Sequence, residues 1–324
     1  MNIALGSLFA EVDFQSKKVE ESRAKESRNV FERCKENIRY YALEEGQTHH
    51  DITELLLASK DVAKIHKSMI IEQNRRIVVF EYPSDGNAVK GYISYTPKYK
   101  SASLLVFLRG GNRILGLMNP ANDFSFAKDY TVIATTYRGG MNEGRDEFGG
   151  SEVEDVENLV QFIPQLESML QMQLAPHQKF ILGGSRGGME MFLALVRSPF
   201  LQNYFDKAIS LSGPMDLRTT IALRQDMKNM FVRDFGLTLG ERADAWLTYR
   251  SPIHHCCALR KDLPLLIIQG TEDHRTHLSH GRAMFAELSR LGNNVTYWEI
   301  AGATHCLANQ RNRIGFIVDW LENF

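Results

Sequence analysis

The chain has 324 residues, of which 44% are hydrophobic, and its formal net charge is −1. That length suits one large α/β domain or two small ones with a sizeable core, and the lack of a basic surplus argues against nucleic acid or an anionic membrane as partner. Four cysteines at irregular positions are no disulfide scaffold and form no zinc spacing, so reduced thiols in a cytoplasmic protein, with no metal and no cofactor, are expected.

The first ten residues are mildly apolar but lack a basic start and meet acidic residues at once, so no signal peptide is expected. No window approaches a membrane span. Residues from about 14 to 45 are dense in Lys, Arg and Glu, which predicts solvated helix. A second helical stretch is predicted over 52–71, where Ile52, Leu55, Leu56, Val62 and Ile65 are spaced for one apolar face. His49 and His50 read as solvated loop residues. Residues 1–75 therefore form an N-terminal helical extension without recognisable chemistry, and two roles stay open for it: a cap on the rest of the chain, or self-association into a homo-oligomer.

From Arg76 the pattern turns to strands. Residues 77–82 and 89–95 flank the turn residues Pro83-Ser84-Asp85-Gly86 and read as an antiparallel hairpin at the edge of a sheet. Residues 104–108 and 131–136 are nearly continuous apolar runs, as expected of parallel strands covered on both faces. Val153, Val156, Leu159, Val160, Ile163, Leu166 and Leu170 then recur at helical spacing, and Phe180-Ile181-Leu182 lead into another buried strand. Residues 208–211, 265–268 and 295–300 add three strands, with helices between and after them. The fold class is α/β, a mostly parallel doubly wound sheet over residues 76–324. The stretch of about 214–250 is longer than a simple crossover and is predicted to be a helical lid.

The chemistry concentrates in Gly183-Gly184-Ser185-Arg186-Gly187. A serine between glycines at a tight strand-to-helix turn is pushed out at the top of the sheet, and the following helix aims its free N–H groups and positive end at the same spot. Ligands bind at the carboxyl ends of strands in such sheets. The polar residues that follow the apolar runs include Arg109-Gly110-Gly111, Tyr137-Arg138, Asp273 and His305. Serine hydrolysis needs a base to take the hydroxyl proton and an acid to orient that base. Ser185, Asp273 and His305 supply these in the chain order of α/β-hydrolases. Glu272 is the nearest rival acid, and His274, His277 and His280 are rivals for the base; their i, i+3, i+6 spacing does not converge on one metal. The oxyanion donors are read as the backbone N–H groups of Arg186 and Gly111. For an ordinary imidazole, activity should fall as His305 protonates, with an apparent pKa of about 6 to 7.

Over residues 76–324 the chain resembles the catalytic domain of the prolyl oligopeptidase family of serine peptidases, an α/β-hydrolase group. The matching marks are Asp85-Gly86, Gly110-Gly111, Tyr137-Arg138-Gly139, Glu154-Asp155, the Ser185 turn, Ser251-Pro252, Gly270-Thr271-Glu272-Asp273 and His305. The resemblance implies a peptide or amide substrate cleaved through an acyl-enzyme. Small acyl esters are the alternative substrate, and a non-catalytic binding protein on the same fold is a further one. Only residues 1–75 stand where large members carry a β-propeller, so exopeptidase specificity is not carried over. Arg109 occupies the place of a usual His or Tyr, and the hydroxyl with which a Tyr there can help hold an oxyanion is absent. With Gly110 and Tyr137 it is a candidate substrate contact, although a structural salt bridge is an equal reading. Asp273-His274-Arg275-Thr276 lacks the usual Val-Pro after the acid, and Cys306 replaces the usual glycine after the histidine.

Overall fold

The computed structural model describes residues 31–97, 103–121, 130–174, 176–238 and 240–323. Nine strands form one sheet: β1 (His49–Asp51), β2 (Arg76–Ser84), β3 (Asn87–Tyr95), β4 (Ser103–Leu108), β5 (Tyr130–Thr135), β6 (Lys179–Gly184), β7 (Lys207–Leu211), β8 (Leu265–Gly270) and β9 (Val295–Ile300). Their order is β1-β2-β3-β5-β4-β6-β7-β8-β9, antiparallel from β1 to β5 and parallel from there on. This is the α/β-hydrolase architecture expected from the sequence.

Local chemistry explains the elements. Asp85 and Gly86 both have positive φ (47° and 81°) between the paired residues Ser84 and Asn87, the two-residue turn whose twist matches a hairpin. Strands β4 to β8 are apolar on both faces. Along β4, Leu104, Val106 and Leu108 join one core cluster while Leu105 and Phe107 join the other, because alternate side chains leave a sheet in opposite directions. The hairpin turn is pinned to the central layer by Arg138. Its guanidinium lies 2.7 Å from both Asp155 and Asp85, and Ser84 Oγ donates to Asp155 at 2.6 Å. The Asp85-Gly86, Arg138 and Glu154-Asp155 marks thus meet as one structural joint.

The helices are α1 (Thr53–Ala58), α2 (Lys64–Glu72), α3 (Glu154–Met169), α4 (Arg186–Arg197), α5 (Pro199–Tyr204), α6 (Leu217–Leu223), α7 (Gln225–Phe235), α8 (Glu241–Tyr249), α9 (Leu278–Arg290) and α10 (Arg313–Asn323). Side chains of α3, α4 and α9 fill one core cluster; those of α1, α2 and α10 fill the other. Helices α6 to α8 form the insertion expected near 214–250. Among the described residues, no helix is long and apolar enough to cross a membrane.

The N-terminal part differs from its sequence reading. Residues 14–30 lie outside the described residues, and 31–37 are helical. His49 and His50 belong to a strand, and the helix expected over 52–71 is broken into α1 and α2. The open edge of β2 accounts for the strand: Ile52 N donates to Ile77 O at 2.9 Å and Ile77 N donates to Thr53 Oγ1 at 2.9 Å, tying the chain to the sheet just ahead of α1, and the helix then stops at Ser59, whose backbone is extended (φ −67°, ψ 136°). Ile52, Leu56 and Val62 are buried, whereas Leu55 and Ile65 are 45% and 63% exposed.

Candidate active site

Ser185 caps α4 with φ 56° and ψ −127°, a conformation that side chains rarely adopt. Two close approaches make that turn possible. A Cβ on Gly183 would collide with the Gly187 backbone, and one on Gly187 would collide with Leu108 O. The turn is then tied into the sheet, because Ser185 N donates to Leu211 O at 2.8 Å and Gly188 N donates to Ser185 O at 2.8 Å.

His305 opens a short turn after β9, and Asp273 lies in the loop after β8. The three side chains meet. His305 Nε2 lies 2.8 Å from Ser185 Oγ, and His305 Nδ1 lies 2.9 and 3.0 Å from the two oxygens of Asp273. Asp273 is itself held, with Oδ1 accepting from the backbone N–H groups of Arg275 (2.8 Å) and Thr276 (2.9 Å) and Oδ2 from Gln269 Nε2 (3.2 Å). Burial would raise the Asp273 pKa, but the hydrogen bond to His305 and these amides hold it below the usual carboxylate value. Burial would likewise lower the His305 pKa. The Cys306 sulfur and the Asp273 carboxylate beside the ring outweigh it and raise the pKa above that of an ordinary imidazole.

The rivals fall elsewhere. Glu272 and His274 are exposed, and His277 caps α9, accepting from Ser279 N at 3.2 Å. His280 is buried, its Nδ1 accepting from Met215 N at 3.2 Å, and burial lowers its pKa to about 4.

Gly110 and Gly111 line the cavity beside Ser185. A Cβ on Gly110 would stand 2.8 Å from Ser185 Cβ, and Gly111 has φ 77°. Arg109 does not reach this cavity. Its guanidinium is buried and donates to the carbonyls of Gly110, Arg113, Leu115 and Thr136, bracing the glycine loop from behind. Tyr137 is also buried, its ring 5.1 Å from the Arg109 guanidinium and 5.4 Å from that of Arg186. Both were candidate substrate contacts; both are buried, and neither is among the residues that line the cavity.

Sequence reasoning missed the side chain of Arg186. It is fully buried, with Asp146 (2.8 Å), Glu152 (2.5 Å) and Glu190 (2.8 Å) around it, and its Nη1 donates to Gly111 O at 2.9 Å. Asp146 Oδ2 accepts from Arg113 N at 2.6 Å, so the glycine loop is held at two points. The N-terminal segment holds the same loop from outside. Gly116 N donates to Cys34 Sγ (3.2 Å), Asn37 Nδ2 to Leu117 O (2.9 Å) and Tyr41 Oη to Met118 O (2.7 Å). Ser212, with φ 55°, accepts from Cys306 N at 3.0 Å and steadies the His305 turn. No local pattern marks any of these partners in the sequence.

The cavity over Ser185 measures about 790 Å³. Its floor is the glycine loop and the Ser185 turn; its roof includes Thr220, Met227 and Met230 of the helical insertion.

Comparison with known proteins gives this geometry a family. Residues 120–324 match the family model described as the prolyl oligopeptidase family. The chain is 26% identical over 267 residues to the uncharacterized peptidase YtmA of Bacillus subtilis, covering 79% of this chain and 100% of that protein. Among solved structures it is similar to the Pyrococcus horikoshii acylaminoacyl peptidase, with a TM-score of 0.57 at 20% identity over 76% of this chain and 42% of that one. The Pyrococcus furiosus esterase Pf2001 gives a TM-score of 0.54 at 18% identity, over 78% of this chain and 91% of that one. The chain spans about two fifths of the acylaminoacyl peptidase, and at these identities the structural likeness carries the fold. With the family match spanning everything from β5 to α10, the chain belongs to the prolyl oligopeptidase family, serine hydrolases of the peptidase and esterase type.

Proposed function

We propose that this chain cleaves peptide or amide bonds through an acyl-enzyme, with Ser185, His305 and Asp273 as its triad. One observation carries the reading: the continuous hydrogen-bonded line from Ser185 Oγ through the His305 ring to Asp273. Ser185 Oγ attacks the substrate carbonyl carbon while its proton passes to His305 Nε2. The imidazolium is stabilised by Asp273 and returns the proton to the departing amine as the carbon–nitrogen bond breaks. Water then repeats the sequence on the acyl-enzyme, its proton again passing through His305, and the carboxylic acid leaves. The N–H groups of Arg186 and Gly111 hold the negative oxygen in both halves; one such donor is typically worth about a hundredfold in rate. Residues 76–324 form the catalytic domain, and the preceding segment braces it. Four free cysteines fit a reducing, cytoplasmic setting.

Ester hydrolysis is the second reading, favoured by the likeness to the Pyrococcus furiosus esterase over 91% of that chain. Labelling with a fluorophosphonate, located by mass spectrometry, tests the mechanism: the adduct is expected on Ser185 and absent from Ser185→Ala. Parallel assays on aminoacyl amides and short acyl p-nitrophenyl esters separate the two substrate classes. A wild-type chain that never labels would end the acyl-enzyme reading.

A further inference from the structure

Buried polar groups in a folded chain are almost always hydrogen-bonded, so one that is not asks for an explanation. Asn112 carries such a group. The residue is half-buried, but its Oδ1 is shut away from solvent and has no hydrogen-bond partner among the described residues. Tyr137 and Ser210 also hold buried oxygens without a partner, yet neither lines the cavity over Ser185, and Asn112 does. Asn112 also follows directly on Gly111, whose N–H is the second proposed oxyanion donor.

The backbone around Asn112 is fixed on both sides. The Gly111 carbonyl accepts from Arg186 Nη1 at 2.9 Å, Arg113 N donates to Asp146 Oδ2 at 2.6 Å, and the Arg113 carbonyl accepts from Arg109 Nη2 at 2.6 Å. The carbonyl of Asn112 itself accepts from Leu115 N at 2.9 Å. Its side chain makes one weak hydrogen bond, in which Nδ2 donates to Met230 Sδ of α7 at 3.7 Å. A thioether accepts weakly and has no hydrogen to give, so it takes the NH₂ end of the carboxamide and leaves the oxygen unused. Met230 also lines the cavity, and an unbranched methionine side chain moves aside readily. A held backbone thus presents a free acceptor behind a movable cover. A peptide whose scissile carbonyl is bound at the Gly111 N–H brings backbone N–H groups to the neighbourhood of Asn112; a simple acyl ester brings none.

We infer that Asn112 is a specificity-determining residue: with Met230 displaced, its Oδ1 accepts a backbone N–H of the substrate, so the cavity selects peptide-like substrates over simple acyl esters. The inference rests on the acyl-enzyme reading and adds to it the substrate feature that is recognised. Two N–H groups share the chemistry, one on the acyl side of the scissile bond and one in the leaving group.

The test uses the full chain and two pairs of esters in which a carbon replaces the amide nitrogen. For the acyl side, p-nitrophenyl N-acetylglycinate is set against p-nitrophenyl levulinate. For the leaving group, the hexanoate ester of glycolamide is set against that of hydroxyacetone. The ratio of kcat/KM within each pair is compared between wild type and Asn112→Leu, which cancels the esters' own difference in reactivity. In one pair the ratio should fall by about tenfold in Asn112→Leu, because the N–H member alone loses its acceptor. Which pair shows it identifies the N–H. Asn112→Asp, which keeps an acceptor, should keep most of the ratio even as a negative charge beside the oxyanion slows both members. Misfolded chain lowers both members together, so the ratio still reads the folded molecules. Ratios unchanged by Asn112→Leu in both pairs, or a fall in Asn112→Asp equal to that in Asn112→Leu, overturn the inference, while turnover of the carbon analogues leaves the acyl-enzyme reading standing. No turnover of any ester and no phosphonate adduct would overturn both.

Discussion

The guanidinium of Arg186 donates to the carbonyl of Gly111 at 2.9 Å, so the residue after Ser185 grips the loop that carries the second proposed oxyanion donor. Both donors are thereby set by one side chain. In Arg186→Met that grip is lost and the buried carboxylates of Asp146 and Glu152 lose their cation, which typically costs about 3 kcal/mol or more. Urea unfolding should show this loss, and kcat should fall by a larger factor than KM rises.

Glu190 should behave differently from its neighbours. Its pKa of about 8, against an ordinary 4.5, means that the folded chain binds a proton there that the unfolded chain releases over the same range. This contribution to stability is present below about pH 4.5 and is lost as pH rises through 8. Glu190→Gln, which keeps the shape without the proton, should change stability little at pH 5. Unfolding midpoints measured from pH 5 to pH 9 should decline in the wild type and decline less in the variant.

Asp273→Asn should leave the fold intact and remove most of the rate. Oδ1 of Asp273 accepts two backbone N–H groups, which keeps the oxygen of an asparagine on that side and turns its NH₂ towards His305. The ring proton then moves to Nε2, where it can no longer accept from Ser185. A comparable change in a serine protease lowers kcat by about ten-thousandfold, and single-turnover assays at constant pH should show a loss of that order.

The acid limb of the kcat/KM profile should lie above pH 6.5. Asp273 and Cys306 stabilise protonated His305, and only the neutral ring accepts the serine proton. Cys306 also holds φ 52° and ψ 31°, a left-handed conformation that costs a non-glycine residue about 1 kcal/mol. Cys306→Gly should therefore move the limb towards an ordinary imidazole value and raise stability by about that amount. A limb that does not move would show that the sulfur has no influence on the ring.

Tyr41→Phe tests the outer brace. Removing its hydroxyl leaves the half-buried Met118 carbonyl without that donor, at a cost of about 1 kcal/mol. Asn37→Ala should add a similar loss at Leu117, and the two together should lower kcat by loosening the loop that bears Gly111. Unchanged kinetics with lowered stability would confine the N-terminal segment to packing.

Much of this molecule was readable along the chain. Glycines two residues either side of a serine, apolar runs of five or six residues, and polar residues directly after them are local patterns, and local sterics dictate what they become. They were enough for the parallel sheet, the sharp turn at Ser185, the helical insertion, and the strand-end positions of Asp273 and His305. The capture of His49–Asp51 by the edge of β2 was not readable, because three polar residues carry no alternation and the strand exists only where an open edge receives it. Nor was the fate of Arg109, Tyr137 and the Arg186 side chain. Asp146 and Glu152 lie 40 and 34 residues from Arg186, and a buried cation is matched to its anions by approach in space. The sequence by itself determined which residues stand at the rim of the sheet, because backbone geometry acts over a few residues; only the tertiary structure decided which charges face the cavity and which brace it from beneath, because burial and pairing depend on the whole chain.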